Sequence, residues 1–376
     1  MKNVIFICVF NNELYLEMCF LLLESIFIYG NLAENTEILL YTTTLFMQKI
    51  QKSHLFNEKI KFEINDLPEL KCTCNTKLDF FQLSFISKYN KILYLDADII
   101  VKKNIQPLFE LIKENILYKK LAFTQEELTE FKQNMFNTPI LNEYIVNWND
   151  LCLENKKESM FQYLNTLKEN TITENIQKAK DYINIHLLPI IYNSGELLEG
   201  NIFMLHHTTT YTEMFLNKTK NICNLVLNQN IKNVIEIGFN SGFSTLLMLL
   251  SNPNLKITCF DLGEHSYTLP CYHNLKQHFG ERLNLIIGNS METLKQFNSD
   301  VKMDIIHIDG GHSTEVAESD IIYSYRLSKK GTILIMDDYD FENLHRLWDT
   351  YIMIYNLQPL DIYTYHSPHH DIKFIP

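Results

Sequence analysis

An apolar run in the second half of this sequence leads directly into a glycine-containing loop and then into a helical pattern, an order that limits the folds the chain can adopt. The run reads VIEIGFNSGFS and begins at Val234. In α/β folds, a strand, a glycine loop and a helix in this order let a ligand approach backbone N–H groups. The next predicted strand ends at Asp261, where an acidic side chain can accept hydrogen bonds from both hydroxyls of a ribose. The two linked signals predict a nucleoside site, against the alternative of a glycine turn that binds nothing.

Short apolar runs alternate with helical patterns in two separate stretches of the chain. The first stretch runs from Val4 to about Leu95, and the second begins near Thr208 and continues to Met336. This alternation is typical of parallel sheets covered by helices. Because cores stop growing and chains divide into units of roughly 100 to 200 residues, we expect two α/β domains, at residues 1–194 and 195–376.

Composition excludes several classes of protein. The formal net charge of -12 argues against a nucleic-acid partner, because phosphate binding needs a basic stripe. The 8 cysteines form no C-x-x-C pair, so neither a zinc ribbon nor a disulfide framework is indicated. The apolar run Val4–Phe10 lacks a signal-peptide cleavage site, and the segment Leu14–Tyr29 contains two glutamates and so is not a membrane span. We therefore expect a reduced, cytoplasmic protein.

The motif EIGFNSGFST at residues 236–245 resembles the first motif of class I S-adenosylmethionine (SAM)-dependent methyltransferases, in particular methyltransferase family 24. That resemblance implies a Rossmann-like, seven-stranded domain that transfers the sulfonium methyl group of SAM to an acceptor. The resemblance also implies which residues bind the cofactor. The methionine part is held by Glu236, Gly238, Asn240, Ser241 and Gly242, the ribose by Asp261, and the adenine is lined by Asn289 and Ser290.

Three carboxylates are predicted at the carboxyl ends of adjacent strands of the second domain: Asp309, Asp337 and Asp338. Clustered anions repel one another unless protons or a cation intervene, and a hard divalent ion is one solution. The pattern resembles metal-dependent O-methyltransferases, some of them acting on sugars. This resemblance makes the three aspartates candidate ligands for Mg or Mn. Asp309 is also a candidate catalytic residue. His312 is the candidate base, because a hydroxyl is a poor nucleophile until its proton is removed. Helix capping is the alternative interpretation of the aspartates, and a polar helix start that of His312.

A D-x-D pair, Asp96 and Asp98, follows the last predicted strand of the first domain. Two carboxylates at this spacing can chelate a divalent metal that bridges the diphosphate of a nucleotide sugar. Residues 88–109 resemble the D-x-D region of family 8, glycogenin-like glycosyltransferases, which implies a GT-A-like domain and a ligand such as a UDP-sugar. The loop after the first strand resembles the same family's uridine contacts, through Val9, Asn11, Asn12 and Tyr15.

The first domain departs from that family where the catalytic residues are expected. Residues 138–143 read TPILNE where the family has D-Q-x-x-x-N, and a terminal H-F-x-G-x-x-K-P-W motif is absent. Three hypotheses follow. The chain is a metal-dependent O-methyltransferase for a sugar or glycan fused to a glycosyltransferase-like domain, or a bifunctional enzyme that also transfers a sugar, or a methyltransferase whose first half only recognises the sugar or nucleotide.

Overall fold

In a computed structural model the chain forms two compact units, Met1–Leu167 and Lys168–Pro376. The structure describes residues 2–10, 12–66, 83, 88–111, 143–147, 155–195, 210–360 and 365–376. The division falls inside a long helix, Lys156–Tyr182, upstream of the domain boundary predicted after residue 194. That boundary stays a prediction, whereas the two-domain α/β architecture is confirmed.

The first unit is built on a parallel sheet with the strand order β3-β2-β1-β4. Its strands are β1 (Lys2–Val9), β2 (Thr36–Thr42), β3 (Ile60–Ile64) and β4 (Tyr89–Tyr94), with an antiparallel pair β5 (Ile99–Val101) and β6 (Ile145–Asn147). Its helices are α1 (Glu13–Tyr29), α2 (Thr44–Lys52), α3 (Gln106–Leu111) and the first part of α4 (Lys156–Tyr182).

Burial on both faces explains why the strands of this unit read as continuous apolar runs. Residues Val4 to Ile7 of β1 are all buried. Ile5 and Ile7 of β1 belong to the same hydrophobic core cluster as Leu22 and Ile26 of α1. The Asn12 side chain caps α1 by accepting a hydrogen bond from the Leu14 N–H at 3.0 Å, which starts the helix at the carboxyl edge of β1.

The second unit contains the predicted seven-stranded sheet, in the order β12-β13-β11-β10-β7-β8-β9. Its strands are β7 (Asn233–Ile237), β8 (Lys256–Asp261), β9 (Leu283–Ile287), β10 (Met303–Ile308), β11 (Ser328–Asp337), β12 (Gln358–Pro359) and β13 (His370–Phe374). Strands β7 to β11 are parallel to one another, and β13 is antiparallel to both β11 and β12. The pair β12 and β13 forms the antiparallel end of the sheet.

The helices of the second unit either precede β7 or lie between these strands in sequence. They are the rest of α4, a π-helical turn (Ile183–Leu187), α5 (Leu188–Ser194), α6 (Thr210–Val226), α7 (Phe243–Ser251), α8 (Thr268–Phe279), a 3-10 turn (Gly280–Arg282), α9 (Ser290–Gln296), α10 (Thr314–Leu327) and α11 (Glu342–Tyr355). None of the helices in the described ranges is long and apolar enough to cross a membrane.

The strand order places a topological switch point between β7 and β10. These strands are neighbours in the sheet, with Ile308 paired to Ile237 at their carboxyl ends, although two strands separate them in sequence. In open α/β sheets, ligands bind in the crevice outside the carboxyl ends of the strands at such a point. Every candidate site residue of the second unit lies on this edge or in the loops that leave it.

Candidate active site

The first-motif loop lies against the end of β10. Gly238 has φ +96°, and a Cβ built on it would lie 1.8 Å from the backbone oxygen of Asp309. Only glycine fits a left-handed backbone at so close an approach. Gly242 closes the loop with φ +79°, and its N–H donates to the Phe239 carbonyl at 2.7 Å. The loop therefore places the predicted cofactor site beside the acidic strand ends.

Glu236, on β7, is fully buried and bound on both oxygens by neighbouring side chains. One oxygen accepts a hydrogen bond from the Ser244 hydroxyl at 2.5 Å and lies 3.1 Å from Nδ1 of His307. The other accepts from the Thr245 hydroxyl and lies 3.7 Å from the Cys259 sulfur. The carboxylate ties β7 to the start of α7, so the predicted direct contact with the methionine part of a cofactor stays a prediction.

Asp261, at the end of β8, holds the other side of the loop. Its Oδ2 accepts from the Asn240 N–H at 2.7 Å, and its Oδ1 accepts from the Gly263 N–H at 2.7 Å. The Tyr267 hydroxyl donates to Oδ1 of Asn240 at 2.9 Å, and Ser241 is buried within the same loop. A half-buried carboxylate beside the glycine loop is the arrangement that fits a bound ribose.

The two residues predicted to line the adenine lie after β9. The Asn289 side chain caps α9 by accepting from the Met291 N–H at 3.0 Å, and Ser290 is the first residue of that helix. Burial raises the pKa of Asp320, on α10, to about 7, against a smaller opposite effect of the Ser290 hydroxyl. This segment therefore combines a capped helix start with a buried, weakly acidic carboxylate.

Asp309 and Asp337 lie at the carboxyl ends of β10 and β11, and this part of the sheet is called the acidic edge. It contains two buried basic side chains that sequence reasoning missed. The Lys218 ammonium, on α6, donates to Oδ2 of Asp337 and lies 3.8 Å from Oδ2 of Asp309. The His307 ring, on β10, lies 3.1 Å from Glu236 through Nδ1 and 3.5 Å from Asp337 through Nε2. The carboxylates at the strand ends are thus paired with charges from the chain itself.

These contacts shift the pKa values in the directions expected for buried ion pairs. Burial alone would lower the pKa of His307, but the carboxylates of Asp337 and Glu236 raise it to about 10. Burial would likewise lower the pKa of Lys218, and Asp309 and Asp337 raise it instead. Burial would raise the pKa of Asp337, but Lys218 and His307 hold it well below its usual range. Burial and the neighbouring Asp337 carboxylate raise the pKa of Asp309.

The predicted divalent metal can be tested against this geometry. Ligand atoms of His307, Asp309 and Asp337 lie within 4.8 Å of one another, close enough to share an ion. The ion would need the carboxylate oxygens that face Lys218, and would lie beside a like charge. The residues present therefore do not fit a divalent ion together with Lys218. Asp338, the third predicted ligand, is absent from this group and contacts His312 instead.

His312 and Asp338 form a pair in the loops that follow β10 and β11. Nε2 of His312 lies 2.8 Å from Oδ2 of Asp338, and the imidazole side chain is 53% exposed. Asn343 donates to the His312 carbonyl at 2.9 Å, which holds the backbone of this loop. The hydrogen bond to Asp338 raises the pKa of His312. An exposed imidazole with one nitrogen oriented by a carboxylate has the geometry of a general base.

The D-x-D pair of the first unit follows β4. The Tyr94 hydroxyl donates to Oδ1 of Asp96 at 2.5 Å, and Nζ of Lys156 lies 3.4 Å from Oδ2 of Asp98. Burial and the Asp96 carboxylate raise the pKa of Asp98, and Lys156 opposes the shift.

The predicted uridine contacts lie at the end of the neighbouring strand β1. Val9 is buried, Asn12 caps α1, and the Tyr15 side chain is exposed. Asn11 lies outside the described residues, as do residues 138–142. Because β1 and β4 are parallel neighbours, Asn12 and Tyr15, at the cap and in the first turn of α1, lie at the same edge of the sheet as the D-x-D pair.

The second unit has the seven-stranded sheet expected of a class I methyltransferase, and a family model described as a methyltransferase domain matches residues 235–339. The prediction of a SAM-dependent methyltransferase is thereby confirmed. A second family model, glycosyl transferase family 8, matches residues 33–241, more than half of the chain. The chain belongs to glycosyl transferase family 8, with the methyltransferase domain following.

Solved structures similar to this chain are methyltransferases. An O-methyltransferase from Bacillus cereus in complex with SAH is 16% identical, with 57% of this chain and 97% of that chain covered and a TM-score of 0.36. A SAH-bound methyltransferase from Podospora anserina is 13% identical, with 50% and 87% covered and a TM-score of 0.38. A TDP-rhamnose 3'-O-methyltransferase of calicheamicin biosynthesis is 15% identical, with 54% and 93% covered and a TM-score of 0.36. At these scores the similarities carry no information on substrate. No curated protein matches the chain.

Proposed function

We propose that the second unit transfers the methyl group of SAM to a hydroxyl of a sugar or glycan. The observation that carries the proposal is the contact between the first-motif loop and the acidic edge. Because Gly238 lies against the backbone of Asp309, a methyl donor held by the loop is within reach of side chains that follow β10. His312 and Asp338 lie in those loops. Donor, base and acceptor hydroxyl can therefore share one crevice.

The chemistry assigned to each residue follows from this arrangement. SAM, when bound, supplies an electrophilic methyl carbon and a neutral thioether leaving group. The acceptor oxygen forms the new O–C bond as the C–S bond breaks, and the hydroxyl proton passes to His312. Asp338 accepts the Nε2 hydrogen of His312, which leaves Nδ1 as the basic nitrogen. Glu236 and Asp261 act on the loop that positions the donor, through the Ser244 hydroxyl and the Asn240 N–H.

The sugar acceptor is proposed because a methyltransferase domain and a glycosyltransferase-family domain occur in the same chain. The chain belongs to glycosyl transferase family 8, and the first unit brings the D-x-D carboxylates and the loop after β1 to one sheet edge. A methyltransferase joined to such a domain is best supplied with carbohydrate hydroxyls. The predicted divalent metal is not part of this step, since Lys218 lies between the carboxylates that would bind the ion.

For the first unit we propose recognition of a nucleotide sugar without transfer, in preference to a second transferase activity. Residues 138–143, TPILNE, lack the acid and amide of the family's D-Q-x-x-x-N motif, and this departure supports the choice. Lys156, beside the buried Asp98, would also compete with a metal for that carboxylate. Incubation with a panel of nucleotide sugars and Mn²⁺ tests it. Release of free nucleoside diphosphate from any donor would restore the bifunctional hypothesis.

The methyl-transfer proposal is tested with the full chain, SAM and an acceptor panel of sugars, nucleotide sugars, phenols and amines. Mass spectrometry should detect one added methyl group on a carbohydrate hydroxyl. His312→Gln should lower kcat by roughly 10² to 10⁴, the usual contribution of a general base. His345→Gln is the matched control, because His345 also faces a carboxylate, Asp349 at 3.3 Å, but on the surface of α11. Methylation of amines alone, or equal activity of the two variants, would refute the proposal.

A further inference from the structure

Lys218 lies where a metal-dependent methyltransferase would hold its ion. Its ammonium contacts Asp337 and lies 3.8 Å from Asp309, at the carboxyl ends of β10 and β11. The side chain is only 8% exposed, so this is not a surface lysine resting on an acidic patch. Burying an ammonium is costly unless carboxylates pair with it, and here both Asp337 and Asp309 lie beside it.

The position of Lys218 is fixed by the residues on either side of it along α6. The Asn217 side chain donates to the His366 carbonyl at 2.9 Å. Asn221 donates to the Tyr365 carbonyl at 2.8 Å, and its Oδ1 accepts from the Tyr365 N–H at 2.7 Å. These bonds dock the helix onto the segment that leads into β13, so the ammonium is positioned by a built interface.

The orientation of His307 agrees with a site completed by Lys218. A histidine that binds a metal presents a nitrogen lone pair to the ion and donates its other N–H to an outer partner. Here both ring nitrogens of His307 face carboxylates, Glu236 at 3.1 Å and Asp337 at 3.5 Å. Nε2 of His307 and Nζ of Lys218 face the same Asp337 oxygen, Oδ2, so an ion bound by this ring and by Asp337 would meet the ammonium there.

We propose that the Lys218 ammonium replaces the divalent ion of this site, so that methyl transfer proceeds without a metal. The inference rests on the proposed function and deepens it. An ammonium has three N–H donors; one donates to Asp337, and Asp309 at 3.8 Å lies beyond hydrogen-bond distance. A remaining donor binds the acceptor oxygen and stabilises the negative charge that develops as His312 takes the proton. No oxidant, reductant or further reactant is required.

The test measures Mn²⁺ binding separately from catalysis. All proteins carry Asp98→Asn, so that the D-x-D pair of the first unit adds no signal, and folding is checked by thermal melting. Bound Mn²⁺ is counted by electron paramagnetic resonance. While Lys218 is present, the protein with Asp337 and the protein with Asp337→Asn should bind the same number of ions. Lys218→Ala should gain one such ion, and adding Asp337→Asn should remove it again. Lys220→Ala is the matched control, because Lys220 pairs with Glu169 at 2.5 Å, away from the acidic edge.

Activity provides the second measurement. The unsubstituted chain should keep its methyl-transfer rate in EDTA, and Lys218→Met should lower that rate by roughly 10² to 10³, the effect of losing one oxyanion donor. An Asp337-dependent Mn²⁺ ion in the protein that keeps Lys218, or loss of activity in EDTA, would overturn the inference. If no acceptor is methylated at all, the proposed function fails, but Mn²⁺ binding still tests this inference. If a Lys218 variant does not fold, Mn²⁺ binding by the protein that keeps Lys218 provides the test.

Discussion

Replacing Gly238 with alanine tests whether the first-motif loop is held in place by its contact with β10. The added methyl group would lie 1.8 Å from the Asp309 oxygen and 2.7 Å from the Asp309 carbonyl carbon. Non-bonded carbon atoms are at ease at about 3.5 Å or more. The loop and the strand end must therefore separate by roughly 1 Å or more, and both belong to backbone that no side-chain rotation can move.

The cost has two parts that a second glycine separates. An L-residue at positive φ costs about 1–2 kcal/mol, and forcing atoms into a packed region costs about 1–3 kcal/mol more. Gly331 has φ +86°, and a Cβ added there would meet no atom within 4 Å. Gly331→Ala should therefore show only the first part, about 1–2 kcal/mol, whereas Gly238→Ala should show both, about 2–5 kcal/mol.

Thermal melting of the full chain with and without SAH measures both effects. The transition of the second unit is the one that SAH raises, because a ligand that binds only the folded state stabilises it. Gly331→Ala should lower this transition and keep the SAH-dependent increase. Gly238→Ala should lower it further and lose the increase, since the loop can no longer reach the end of β10. Equal melting temperatures and equal SAH responses in the two variants would refute the reasoning.

Three further predictions concern charged groups. The acid limb of the methyl-transfer rate should lie above the ordinary histidine pKa, because His312 must lose its proton to act as a base; Asp338→Asn should move that limb to lower pH, and an unchanged pH profile would contradict the pair. The raised pKa of Asp320 means that the folded state holds a proton which the unfolded state releases, so its contribution to stability is full below about pH 4 and is lost as the pH rises through about 7. Asp320→Asn should accordingly gain on the order of 4 kcal/mol over the parent between pH 4 and pH 8 in urea titrations, and a constant difference would contradict the shift. Asp98→Asn should weaken and Lys156→Ala should strengthen Mn²⁺-dependent UDP binding by calorimetry, whereas changes in the same direction would exclude competition between ammonium and metal.

Much of the fold was readable from the sequence because its strands are buried on both faces. The apolar run beginning at Val234 and followed by a glycine loop predicted a strand, and β7 lies there at Asn233–Ile237. The helix Lys156–Tyr182 was harder to delimit, because its mean composition is polar and its apolar face changes partners along its length. Met160 and Leu164 pack within the first unit, whereas Asn175 contacts Cys223 in the second.

The carboxylates of the site were predictable, and their partners were not. Asp309, Asp337 and Asp338 follow adjacent strands, and parallel strands bring their carboxyl ends to one edge. Lys218 lies 119 positions before Asp337 in the sequence, and no local motif marks it. One weak signal was present: Lys218 shares the i, i+4, i+8 face of α6 with the buried Ile222 and Val226.

In each of the two acidic sites of this chain, a lysine offsets the repulsion between neighbouring carboxylates. The two lysines differ in how easily a metal could displace them. At the D-x-D pair, Lys156 lies 3.4 Å from Asp98 and is 21% exposed, so water can stabilise the ammonium when an ion displaces it. At the acidic edge of the second unit, Lys218 and Asp337 are 8% and 0% exposed, and separating them would leave a buried charge without a partner. A divalent ion can therefore exchange with the lysine in the first site far more readily than in the second. A cluster of aspartates in the sequence predicts a cation, but the burial of the nearest lysine decides whether that cation is exchangeable.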